Sequence, residues 1–230
     1  MSTETDDHRW SGSRAAVSTV LEHPLLGLDR RRTALMVAYL LGLTAMFLAS
    51  YIGMRITIND PLRSLLTVGL DTLSLLFIAL VTATILVVPL WYAVWNGGPL
   101  LSFALPLAPV AVGDIMAGAY VLDLDVAVAL TVGAIAAALA LVSADVRRAD
   151  SVRFWQAGID EDQLLFVTAI TIIAAVGVGR FVDTAPSYML EWYASMGPVW
   201  FVTAAVVGSY WLRWARSAWR TRGDRPTGRL

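Results

Sequence analysis

Apolar residues occur in this chain of 230 residues as long blocks separated by short polar connectors. Several blocks approach the roughly 20 residues that an α-helix needs to cross about 30 Å of hydrocarbon. The pattern predicts six spans, at roughly 33–54, 70–94, 99–119, 124–144, 163–182 and 197–214. We therefore expect an all-α fold, a polytopic membrane bundle of about six transmembrane helices surrounded by the lipid bilayer.

The polar stretches outside these blocks divide the chain into three parts. Residues 1–32 are expected to form a cytoplasmic N-terminal segment, either partly disordered or folded as an interfacial helix between Ser13, a candidate N-cap, and Pro24. Residues 33–214 are expected to form the six-helix transmembrane domain. Residues 215–230 contain five arginines and are expected to form a basic cytoplasmic tail.

The third block contains two prolines and one carboxylate within the segment LPLAPVAVGDIMAG. Pro106 and Pro109 each remove a backbone donor, so we expect a kink in the third helix. Asp114 follows Pro99 by 15 residues, which corresponds to about 22 Å along a helix. The carboxylate is therefore predicted in the outer third of the membrane, where an ionisable residue is costly and is a functional candidate by default.

Arginine placement predicts the orientation, because basic residues near span ends stay on the cytoplasmic side. All 17 basic residues are arginines. Under a six-span topology three arginine clusters share one face, at 30–32, at 147–153 and after residue 212, while Arg55, Arg63 and Arg180 lie on the other. Both termini are therefore expected in the cytoplasm. The use of Arg, Ala and Val without any lysine is typical of a GC-rich prokaryotic genome, so we expect a prokaryotic plasma membrane.

The residue types that are missing narrow the chemistry. The chain has no cysteine and no lysine, which excludes disulfides, thiolate nucleophiles, Schiff-base lysines and the lysine of a phosphate-binding loop. The two histidines, His8 and His23, precede the first span, so a haem or a zinc ion finds no histidine ligand among the spans. No cofactor, no metal site and no catalytic residue are predicted, and an enzyme is not favoured.

Asp114 and Arg180 form the candidate site. Arg180 is predicted near the outer end of the fifth span, where its depth would allow it to approach Asp114. Three interpretations of Asp114 remain open. The carboxylate forms a structural ion pair with Arg180, it is a proton or substrate site of a transporter, or it is an acid exposed to water.

Three functions are compatible with this pattern. A small transporter-like protein or permease subunit is favoured first, because Pro106 and Pro109 free carbonyls that can line a polar pathway. The alternative is a non-catalytic membrane scaffold or assembly subunit, which requires a dry bundle. The third is an intramembrane aspartyl protease with a GxGD motif and two aspartates. Ala111 replaces the first glycine of that motif, and the second acid, Asp71, would differ from Asp114 in depth by about 16 Å.

The fourth span is rich in small residues, for example Gly133 and Ala137. Small residues four positions apart let helix backbones approach closely, so this span is expected inside the bundle or at a contact with a second copy or a protein partner. The 145–162 connector carries mixed charges and is the second candidate surface for a protein partner. The basic tail is expected to lie on anionic lipid, and no nucleic-acid partner is predicted.

Overall fold

The computed structural model describes residues 23–55, 62–118, 122–150 and 159–223, and their side chains outside 52–73 and 221–223. The interfacial helix expected ahead of Pro24 lies outside these residues. All regular structure in the described part of the chain is α-helical, which confirms the predicted class. The helices are α1 (Arg30–Arg55), α2 (Leu62–Leu86), α3 (Val88–Asn96), α4 (Pro99–Ala117), α5 (Leu124–Arg148), α6 (Glu161–Thr184), α7 (Ser187–Ala194) and α8 (Gly197–Gly223).

Four of these helices are long and apolar enough to cross a membrane: α1 up to Tyr51, α4, α5 and α6. The bent pair α2–α3 supplies a fifth crossing if it is counted as one span. Length and hydropathy thus indicate a membrane protein with four to five candidate spans among the described residues. The helix α8 is not one of them, because polar and aromatic residues and Arg213 dilute its apolar stretch. A sixth span remains a prediction.

The second predicted span, 70–94, is broken in the structure. Its two parts meet at Val87 and differ in direction by 51°. Pro89 near the start of α3 has no N–H to bond the carbonyl four residues earlier, and the next helical bond runs from the Trp91 N–H to the Val87 oxygen at 3.0 Å. The chain therefore bends within the second predicted span, where no bend was expected.

The helix α4 runs without a break from Pro99 to Ala117 and contains Pro106 and Pro109, both buried. Its kink remains a prediction. A further difference concerns the connector after the fifth predicted span, which holds the short helix α7. This helix was hidden in the sequence because its Ser, Met, Glu and aromatic residues do not form an apolar block.

The helix α5 lies at the centre of the bundle. Of its most apolar stretch, 61% of the residues are buried, against 17–28% for the other candidate spans. Its small residues, among them Ala134, Ala137, Ala138 and Ala140, are almost fully buried. These small residues were expected either inside the bundle or at a contact with another protein. In this chain they lie inside the bundle.

The two ends of the bundle differ in their charges. The charged end consists of residues 23–33, the α3–α4 turn, the end of α5, the start of α6 and the basic part of α8. Contacts between these segments hold it together, for example from Arg147 to the Val94 oxygen at 2.5 Å and from Arg148 to Asp160 at 3.2 Å. The opposite, acidic end carries Asp114, Asp123 and Asp125 around the α4–α5 connection, together with α7.

Candidate functional site

Asp114 is half-buried near the end of α4. Of the charged groups in the described part of the chain, two other acids act on its carboxylate, Asp123 and Asp125 near the start of α5. Arg180 lies on α6, where its guanidinium is 3.7 Å from the carboxylate of Asp183 and both side chains are exposed. The structure thus joins Arg180 to an acid on its own helix, and the pairing of Arg180 with Asp114 remains a prediction.

The aspartyl-protease interpretation depends on a second acid beside Asp114. The side chain of Asp71, the residue proposed for that role, lies outside the described residues. Among the described residues, no group of three or more His, Asp or Glu side chains is arranged to hold a metal ion.

An open cleft of about 320 Å³ lies between α1, α2 and α4. Its walls are mainly apolar, since Phe47, Phe77 and Met116 contribute to it together with Tyr51 and Gly113. The rings of Phe47 and Phe77 meet edge to face with centroids 4.6 Å apart. Asp114 follows Gly113 in the chain but is not among the residues that line the cleft.

Asn96 is the centre of a buried polar cluster at the charged end, which we call the Asn96 clasp (Leu26, Gly27, Asp29, Thr33, Tyr92 and Asn96). Its side-chain oxygen accepts a hydrogen bond from the Asp29 N–H at 2.8 Å. Its amide nitrogen donates to the hydroxyls of Tyr92, at 2.8 Å, and Thr33, at 3.0 Å. The Tyr92 hydroxyl in turn donates to the Leu26 oxygen at 2.6 Å. The clasp therefore satisfies its buried polar side chains and ties residues 26–33 to α3.

Two glycines permit this close contact. Gly27 has φ +151°, and a Cβ atom there would lie 2.0 Å from the amide nitrogen of Asn96. A Cβ atom on Gly98, in the α3–α4 turn, would lie 2.0 Å from the Leu26 oxygen. Because neither position has room for a side chain, the clasp requires glycine at both.

Asp145 is the second buried polar centre of the charged end. Its side chain is 1% exposed near the end of α5, 3.6 Å from Arg148 and 4.0 Å from Arg213 of α8. Arg148 also reaches Asp160, the N-cap residue of α6, and the guanidinium of Arg213 lies over the ring of Tyr210. We call Asp145, Arg148, Asp160 and Arg213 the Asp145 network. Of these four side chains only Asp145 is fully buried, and two guanidinium groups offset its charge by ion pairing although neither of its oxygens accepts a hydrogen bond among the described residues.

A third buried polar contact lies toward the acidic end. The hydroxyl of Tyr193, on α7, is 2.6 Å from the hydroxyl of Thr131 on α5 and accepts a hydrogen bond from the indole of Trp200 on α8 at 2.9 Å. The Tyr193 ring also packs against Phe181 at a centroid distance of 5.5 Å. The short helix is therefore anchored to the bundle through one side chain.

Sequence reasoning missed these centres. Asp145 was assigned to a connector with mixed charges, although it directly follows about 20 mostly apolar residues. Asn96 begins the segment NGGP between two apolar blocks, a composition typical of a turn. The available signal in both cases was a polar residue at the end of an apolar block, where a buried side chain needs a polar partner.

Comparison with protein-family models, curated proteins and solved structures gave no match.

Proposed function

We propose that this protein is a non-catalytic subunit or assembly factor of a complex in a prokaryotic plasma membrane, with six crossings and both termini on the cytoplasmic side. The arginine clusters support that orientation, since residues 30–32, Arg147, Arg148 and Arg213 all belong to the charged end. A transporter-like protein is the alternative, and the open cleft beside α4 favours it.

One observation carries the proposal: the buried polar groups serve the fold. The hydroxyls of Thr84, Ser102, Thr131 and Thr203 donate to carbonyls of their own helices four residues earlier. Asn96, Tyr92 and Thr33 complete the clasp, and Asp145 is balanced by two arginines. The hydroxyl and amide groups committed in this way are not available to coordinate a passing solute, and Asp145, whose oxygens accept no hydrogen bond among the described residues, is held by ion pairs. The described interior therefore fits a structural membrane subunit better than a carrier.

The exposed side of α1 has the small residues that a contact with another transmembrane helix requires. Of its apolar stretch only 17% is buried. The side turned away from the bundle has small residues three or four positions apart along its length, which are Ala34, Ala38, Gly42, Ala45 and Ala49. A Cβ atom on Gly42 would meet nothing within 4 Å. Such a surface permits close approach of a second transmembrane helix, so we expect a partner to contact α1 there.

Because the chain has no cysteine, cross-linking can test this contact without background. A single Gly42→Cys variant, labelled on its thiol with a maleimide that carries a photoreactive group, is expected to cross-link to a partner on illumination in native membranes. A cysteine at Leu212, exposed on α8, serves as the matched control and is expected to remain uncross-linked. Identical behaviour of the two cysteines would contradict the proposed contact.

A small transporter-like protein is the second candidate function, favoured by the cleft beside α4. The cleft is open and lies next to the helix that carries Asp114, as a transport pathway at the third span would require. Proton-coupled flux in liposomes distinguishes the two proposals. The subunit proposal expects no flux above that of empty liposomes, for wild type and for Asp114→Asn alike. Flux that depends on Asp114 would replace it with the carrier proposal.

A further inference from the structure

The helix α8 is unusual among the long helices because its apolar part is short. Sixteen residues precede Arg213 in this helix, which corresponds to about 24 Å, whereas the hydrocarbon layer is about 30 Å thick. If α8 crosses the bilayer, Arg213 or the residues just before it must lie at the inner border of the hydrocarbon layer, where a guanidinium group needs a partner or water.

The helix α8 starts deeper in the bundle than α5 does, when both are followed from the acidic end. Trp200 and Thr131 both contact the Tyr193 hydroxyl, so these residues of α8 and α5 are at the same level. Thr131 is the eighth residue of α5, which places this level about 10 Å from the start of that helix. The turn through α7 thus replaces the first part of the sixth crossing, and α8 supplies the remainder.

From that shared level the two helices run in the same direction and meet again at a charge pair. Asp145 lies 14 residues beyond Thr131, and Arg213 lies 13 residues beyond Trp200. Their side chains are 4.0 Å apart, with 1% and 18% of their surfaces exposed. The carboxylate of Asp145 on α5 therefore lies at the same depth as Arg213, the first arginine of α8.

We propose that Asp145 completes the insertion of α8, so that the sixth crossing forms only when Arg213 reaches the carboxylate on α5. The inference depends on the six-crossing topology of the proposed function. Two indole contacts assist the docking of α8 on α6, from Trp211 to Thr168 and from Trp214 to Glu161, both at 3.0 Å. Neither of these contacts involves the guanidinium of Arg213, whereas the Asp145 carboxylate lies 4.0 Å from it and carries the opposite charge.

Single cysteines report which side of the membrane each segment occupies. Ser195→Cys in the exposed α7–α8 turn and Thr227→Cys in the tail are labelled in intact bacterial cells by a thiol reagent that does not cross membranes. In the otherwise wild-type chain, residue 195 is expected to react from outside and residue 227 only after permeabilisation. Reaction of residue 227 from outside in that chain would overturn the six-crossing topology and the inference together.

The decisive variant is Asp145→Asn, combined with Thr227→Cys. We expect outside labelling of residue 227 to rise about tenfold, because α8 then carries Arg213 into the membrane without the negative charge of Asp145 beside it. The control Asp162→Asn removes an exposed carboxylate at the same end and is expected to leave labelling unchanged. Unchanged labelling in Asp145→Asn, with residue 227 on the inside in wild type, overturns the inference and leaves the topology intact.

The variant Arg213→Leu separates a loss of charge compensation from general misfolding. With the arginine replaced, α8 needs no carboxylate, so we expect Arg213→Leu and the double variant Asp145→Asn/Arg213→Leu to show the wild-type pattern. If the double variant instead labels residue 227 from outside as strongly as Asp145→Asn alone, Asp145 does not act through Arg213 and the inference is wrong.

Discussion

At the charged end, Asn96 and Asp145 are almost fully buried, and each contacts groups on segments far away in the chain. At the acidic end, Asp114 is half-buried beside two other acids, while Arg180 and Asp183 form an exposed pair within one helix. Both ends contain ionisable residues next to apolar blocks. Such residues mark a structural centre where opposite charges and amide groups converge, as at the charged end. Where like charges gather, as around Asp114, the described residues form no comparable centre.

The largest loss of stability is expected from a substitution at Gly98, where the charged end has no space for a side chain. Gly98→Ala places a methyl group 2.0 Å from the Leu26 oxygen, so residues 26–29 must leave the α3–α4 turn. We expect a loss of more than about 4 kcal/mol in the free energy of unfolding, measured by circular dichroism during SDS titration of the purified protein in detergent. The control Gly179→Ala, whose added Cβ meets nothing within 4 Å, is expected to be neutral or slightly stabilising.

A smaller loss is expected when the clasp loses its central amide. Asn96→Ala leaves the buried Asp29 N–H and two hydroxyls without this partner, which should cost about 3 kcal/mol in the same titration. The control is Ser143→Ala, because the Ser143 hydroxyl bonds only to a carbonyl of its own helix among the described contacts. Similar losses for the two variants would show that the clasp is not a structural centre.

The anchor of α7 should be weaker than either feature of the charged end. Tyr193→Phe removes the hydroxyl shared by Thr131 and Trp200, and we expect a loss of about 1 to 2 kcal/mol because the buried indole N–H is left without its acceptor. Tyr188→Phe on the same helix, at a position 58% exposed, provides the matched control. A loss above that of Asn96→Ala would reverse the ranking of the two ends.

Much of the fold was predictable because its signals are local. The α4 boundary at Pro99 and the α5 boundary after the N-cap Asp123 follow from turn residues beside apolar blocks. The break before α3 was also marked locally, by Pro89, but the apolar block masked it. The polar centres were not predictable in the same way. Asn96 binds Asp29, 67 positions earlier, and Asp145 meets Arg213 on α8 from a similar separation, so only the tertiary packing of the helices brings these groups together.

The most direct test compares the two aspartates by one isosteric change at each end. The free energy of unfolding of Asp145→Asn and of Asp114→Asn should be measured side by side in detergent. Asp145→Asn is expected to lose about 3 kcal/mol, because the Arg213 guanidinium loses its buried counter-charge. Asp114→Asn is expected to change the free energy by less than about 0.5 kcal/mol. Equal losses, or a larger loss for Asp114→Asn, would contradict the conclusion that the charged end holds the bundle together.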